Sequence, residues 1–152
     1  MKAGGFKRQL EQFDTFFGLK LSYLLFAPTE QLSRTLQAKN ITVQEAHSAA
    51  QATHSYVQGK RSDKAFQEWY GKVLSASEAN TDPPVLPRKR RMPRRLDDGH
   101  APHQPDLAED MYRAKYFEAV DVLCGELNRR FDQRDRRIAG DIEKILLDLA
   151  NG

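Results

Sequence analysis

Proline is almost confined to one stretch of this chain. Of the seven prolines in 152 residues, only Pro28 lies outside the segment from Pro83 to Pro105. Proline lacks a backbone N–H and holds φ at about −65°, so a segment this rich in it is neither a helix interior nor a central strand. Residues 80–105 are therefore read as a long loop, and regular structure has to come from residues 1–79 and 106–152. Both flanks repeat apolar residues at steps of three and four, and neither alternates with period two, which predicts an all-α fold. The expected architecture is one irregular helical domain of about six helices. Residues 1–79 form its N-terminal part and 106–152 its C-terminal part, with the Pro-rich basic loop 80–105 between helices four and five.

The first helix is predicted over residues 6 to about 26, from Phe6, Leu10, Phe13, Phe17, Leu21 and Leu24, with Pro28 as its end. Phe16, Leu19, Tyr23 and Phe26 widen this stripe, so the helix is expected to be covered on more than one side and to offer an interaction surface. Thr29 is the expected cap of a short helix reaching Gln37. Thr42-Val43-Gln44-Glu45 has the form of a capping box, and a third helix follows to Gly59, with Val43, Ala46, Ala49, Ala50, Thr53, Tyr56 and Val57 inward. Ser62 caps a fourth helix, whose Phe66, Trp69, Tyr70, Val73 and Leu74 make the most aromatic face in the chain. A second capping-box-like run, Asp106-Leu107-Ala108-Glu109, opens what should be the longest helix. Its stripe is Leu107, Met111, Ala114, Phe117, Val120, Leu123, Cys124, Leu127 and Phe131. Ile138, Ile142, Ile145, Leu146 and Leu149 supply the last helix, with Asn151-Gly152 as its cap.

Several classes of protein are excluded at this level. The apolar run from Phe16 to Ala27 is interrupted and falls short of the roughly 20 residues that span a bilayer, so no membrane partner is expected. No apolar leader follows Met1, and the chain is read as not secreted. A lone Cys124 supplies neither a disulfide framework nor a four-thiolate zinc site. His100 and His103 have only Asp97, Asp98 and Asp106 near them in sequence, while His47 and His54 lie seven apart on one helix face, so no metal or other cofactor is expected. Acid pairs such as Asp97-Asp98, Glu109-Asp110 and Glu118 with Asp121 suit turns, helix starts and solvated helix faces. No nucleophile, base and stabiliser group together, and no glycine-rich phosphate loop is present; the chain is not expected to be an enzyme.

Mean hydropathy is −0.70 and net charge +3. The charge is local, because Arg88, Lys89, Arg90, Arg91, Arg94 and Arg95 fall within eight residues. Such a run serves as a nuclear import signal, a contact to nucleic-acid phosphates, a contact to an acidic partner, or a solvated loop. With no aromatic residue interleaved for base stacking, any DNA backbone contact would be blind to sequence.

The text Phe16-Phe17-Gly18-Leu19-Lys20-Leu21-Ser22-Tyr23-Leu24-Leu25-Phe26, with Glu30 to Asn40 and Thr42 to Ala46, resembles a segment of hAT-superfamily transposases and of their domesticated relatives with MYM-type or THAP-type zinc fingers. The resemblance continues through Val85-Leu86-Pro87-Arg88, Pro93 to Gly99, Tyr116-Phe117-Glu118-Ala119, Asp121, Glu126-Leu127 and Arg130-Phe131, nearly the whole chain. Lys89 departs from it, standing where an aromatic residue is expected. The resemblance implies the helical insertion of such a transposase, either as a piece of a longer protein or as a stand-alone domesticated domain. No position matches the family's catalytic acids or its zinc module. It further implies a nuclear protein, otherwise a cytoplasmic one, that meets DNA, the remaining domains of a longer transposase-like protein, or further copies of itself. The alternative, from the residues alone, is a non-enzymatic helical protein-interaction module.

Overall fold

The structure is a computed structural model. It describes residues 3–79, 81–87 and 105–131, together with 140–142, 144–146 and 148–149. Five helices have defined bounds: α1 (Ala3–Leu10), α2 (Phe13–Leu36), α3 (Val43–Gly59), α4 (Asp63–Ser77) and α5 (Ala108–Arg130). The described residues from 140 onward are helical as well, and no strand occurs among the described residues. The fold is all-α.

The core follows from aromatic packing between α2, α4 and α5. Phe13 and Phe17 of α2 meet Tyr112 of α5 with ring centroids 5.0 and 4.6 Å apart. Phe66 of α4 stacks on Tyr70 at 5.1 Å and meets Tyr116 at 5.3 Å. Val57 of α3 is fully enclosed in the same cluster. A smaller cluster of Leu32, Ala50 and Leu127, with Leu36 and Phe131 against it, joins the far end of α2 to α3 and α5. Sequence periodicity put Met111, Ala114 and Leu107 on the inner face of α5. Of the expected stripe, Phe117, Val120, Cys124 and Leu127 are buried and Met111 packs against the core, but Tyr112 and Tyr116 are buried as well, Ala114 is exposed and Leu107 is 63% exposed. The two tyrosine rings fill the aromatic core, and at Tyr116 the hydroxyl finds a partner at the margin, donating to the Lys60 carbonyl at 3.1 Å.

Burial pushes the phenols of Tyr112 and Tyr116 up to about 12 from an ordinary value of 10.0. A group whose pKa is higher folded than unfolded stabilises fully below the unfolded value and loses that contribution as pH rises through the folded one. Alkaline unfolding is therefore expected to set in between pH 10 and about pH 12. Following helical circular dichroism against pH checks it: the double variant Tyr112→Phe, Tyr116→Phe should shift the onset upward, and an unmoved onset would refute the assignment.

Local capping agrees with the sequence at two helices. Thr42 accepts from the Glu45 backbone N–H at 3.2 Å while the Glu45 carboxylate accepts from the Thr42 N–H at 2.9 Å, completing the box and holding Glu45 below the usual carboxylate range. Ser62 accepts from the Ala65 N–H at 3.2 Å. At α5 the box is not made. Its N-cap is Leu107, without a side-chain bond, and at 23 residues α5 is shorter than the 24-residue α2.

The expected first helix differs most. It divides into α1 and α2 at Glu11 and Gln12, because the Glu11 carbonyl accepts from the Asp82 N–H at 2.8 Å instead of continuing the helical ladder. Phe6 and Leu10, expected in the core, are 71% and 58% exposed on α1. Pro28 does not end the helix; it lies inside α2, and no separate helix starts at Thr29. The proline withholds a donor from the Leu24 carbonyl, at a cost of about 3 kcal/mol. Continuing the helix buries Leu32 and half-buries Leu36 in the second cluster. That burial returns a comparable amount, about 2 kcal/mol for a leucine. Gly59 is the last residue of α3 and not its cap, which is Lys60 in right-handed helical conformation.

Candidate docking surface

Successive residues of an α-helix advance about 100° around its axis. On α2 this sets Phe17, Leu21 and Leu25 on one side, and Leu19, Tyr23 and Phe26 on the opposite side. The first group is buried; the second is 58%, 76% and 66% exposed. Phe16 is half-buried at the margin, packed against the main cluster and under the Lys20 ammonium at 5.3 Å from its ring centroid. The expectation that α2 is covered on more than one side is thus corrected: among the described residues the outer face stands bare.

Two open grooves meet along this face, and Tyr23 and Ala27 line both. One, of about 330 Å³, runs between α2 and α4 beside Leu24, Pro28, Tyr56 and Trp69. The other, of about 480 Å³, continues past Phe26 to Glu30 and Ser33. Tyr56 was expected inward with Val57, yet it is 48% exposed and forms a wall of the first groove. Lys20 and Lys72 stand on that wall, and Lys60 lies over the Tyr56 ring at 4.6 Å. None of these three lysines pairs with a carboxylate among the described residues. Tyr56 and the lysines carry no motif in the sequence; the signal that pointed here was the apolar text on both sides of α2.

The other candidates fall elsewhere. Arg88, Lys89, Arg90, Arg91, Arg94 and Arg95 lie outside the described residues, as do Asp97, Asp98, His100, His103, Ile138 and Asn151-Gly152. The segment leading to the basic run is described: Pro83, Val85, Leu86 and Pro87 line a cleft of about 470 Å³ with Phe13, Met111 and Tyr112. Its mouth carries the Lys115–Asp14 ion pair at 2.5 Å. Several acidic side chains hold helices together: Asp121 pairs with Arg61 at 2.6 Å, Asp63 pairs with Arg113, and Glu109 accepts from Gln67 at 2.5 Å. The Asp121 bond raises the Arg61 guanidinium, and both Arg61 and Arg113 lie over the Phe117 ring. His47 is buried and His54 half-buried; both line the cleft beside Leu127, and the Nε2 of each is closed off from solvent and unpartnered. Cys124 is buried, which pushes its thiol up and away from reactivity. Among the described residues no three of His, Cys, Asp and Glu gather as a metal site, and no helix is long and apolar enough to cross a membrane.

No family model, curated protein or solved structure matches the chain. Its function has to be argued from the surface itself.

Proposed function

We propose that this chain is a non-enzymatic helical docking domain whose working surface is the outer face of α2. The observation that carries the reading is a helix apolar on two opposite sides with only one side covered among the described residues. Such a helix belongs between two layers, and contiguous exposed apolar side chains mark interaction sites. If Leu19, Tyr23 and Phe26 serve a partner and not the fold, they are dispensable for stability. Replacing all three with Gln is expected to move the melting temperature by no more than about 3 °C, the scale of surface substitutions. In dilute solution the same variant should show clearly weaker fluorescence of an apolar-surface dye than the unsubstituted chain. A large fall in melting temperature, or unchanged dye binding, would remove the reading.

The resemblance to hAT transposases favours a particular setting. There the domain is a remnant of the helical insertion, its α2 face meets the remaining domains of a longer transposase-like protein, and Arg88, Lys89, Arg90, Arg91, Arg94 and Arg95 lie along a DNA backbone in the nucleus. Each phosphate neutralised contributes about −0.9 to the slope of log affinity against log salt. Changing all six residues to alanine should therefore weaken DNA binding and flatten that slope by several units. A slope that stays the same would separate the basic run from DNA.

A further inference from the structure

The chain exposes a second apolar ridge besides the face of α2. Ile142, Ile145, Leu146 and Leu149 are 51%, 59%, 61% and 75% exposed on the helical residues from 140 onward. Their spacing of three, four and seven puts them on one side of that helix, with Asp141, Lys144 and Asp148 on the rest of its circumference. From Ile142 to Leu149 the ridge is about 10 Å long at 1.5 Å per residue, as is α2 from Lys20 to Ala27 along the groove. The charges also correspond. Residues 141–149 hold Asp141, Glu143 and Asp148 against Lys144 alone, and the groove beside Tyr23 is bordered by Lys20, Lys60 and Lys72.

We infer that the C-terminal helix of one copy docks into the Tyr23 groove of a second copy, so that two chains exchange helices reciprocally. The inference deepens the reading of α2 as a docking face and rests on it, naming the occupant as a second molecule of this chain. Exchange between copies, and not closure within one, is favoured because among the described residues both ridge and groove are open to solvent and neither covers the other. Reciprocal exchange uses the same two patches on each partner and closes as a two-fold dimer. An amphipathic helix laid in an apolar groove supplies the contact, while lysines opposite aspartates orient it.

Sedimentation of the full chain and of two surface variants tests this. Tyr23→Arg spoils the groove and Leu146→Arg spoils the ridge; both positions are exposed, so each variant should fold, which circular dichroism checks. The unsubstituted chain is expected to shift with concentration toward twice its 17.4 kDa mass. Each variant alone should remain at the single-chain mass. Mixed together they should form dimers again, at higher concentration than the unsubstituted chain needs, because the intact helix of the first fits the intact groove of the second and restores one of the two reciprocal contacts. Three results would overturn the inference: an unsubstituted chain that stays monomeric at every concentration, a variant that associates as well as the unsubstituted chain, or a mixture that stays monomeric. If the chain is monomeric while dye binding and stability behave as expected for the α2 face, that face takes a different partner and only this inference falls.

Discussion

Replacing Phe66 with alanine is expected to leave the domain without a cooperative thermal transition. Phe66 has no exposed surface, and its ring touches Tyr70, Tyr116 and Phe117 at centroid distances of 5.1, 5.3 and 6.1 Å. With Trp69 on Tyr116 at 5.1 Å and Tyr70 on Tyr112 at 6.1 Å, it is one of three rings through which α4 reaches α5, and the one with no exposed surface. Truncating a buried phenylalanine costs about 3–5 kcal/mol through lost transfer energy and the cavity left behind. A single domain typically has about 5–15 kcal/mol in all. This one exposes many apolar side chains and belongs toward the lower end of that range. Thermal circular dichroism is the check: the alanine variant should show a broad, early loss of helix. Phe66→Leu, which retains most of the volume, should melt cooperatively at a modestly lower temperature. A sharp transition near the original temperature in the alanine variant would mean that the aromatic cluster does not hold α4 to α5.

The second large effect runs in the stabilising direction. Pro28 sits in the fifth turn of α2, where it deprives the Leu24 carbonyl of its helical donor. Pro28→Ala restores the donor and inserts the best helix former, against a proline penalty of about 3 kcal/mol. Against this, proline restricts the unfolded chain, which offsets up to about 1 kcal/mol of the gain. A net gain of about 1–2 kcal/mol is expected, raising the melting temperature by about 2–8 °C for a chain of this size. An unchanged or lower melting temperature would show that α2 needs the proline to bring Leu32 against Ala50 and Leu127. Because Pro28 also borders the Tyr23 groove, the variant separates stability from docking: it should be more stable and yet associate differently.

What the sequence made legible was local. Thr42 with Glu45, and Ser62, announce helix starts because a cap is decided by a side chain and a backbone only three residues apart. Helix ends set by distant partners were not legible. The division at Glu11 depends on Asp82, and the passage through Pro28 depends on Leu32 meeting residues of α3 and α5. The inner face of α5 was read a residue off at Tyr112 and Tyr116, since tyrosine counts as half-polar until the aromatic neighbours it meets are known. At the candidate site, Phe16, Leu19, Tyr23 and Phe26 were visible as apolar text. Periodicity reports that a face is apolar; it does not report whether anything covers it. The groove wall from Tyr56, and the lysines on α2, α4 and at the end of α3, came from separate helices and had no common pattern to be read.

The hydrogen bond from Asp82 to Glu11 has a consequence for how this domain changes over time and under engineering. It fastens the start of the proline-rich connection to the joint between α1 and α2, while the other end is fastened by the first turn of α5. A connection clamped at both ends tolerates insertion well, since each doubling of its length costs only about 0.6 kcal/mol in closure entropy. The stretch holding six of the 24 lysines and arginines is therefore also the one where lengthening, shortening or substitution disturbs the helices least. Basic residues can accumulate or be lost there without a stability penalty elsewhere, and a reporter or affinity sequence spliced between Pro87 and Pro105 should leave the helical body intact.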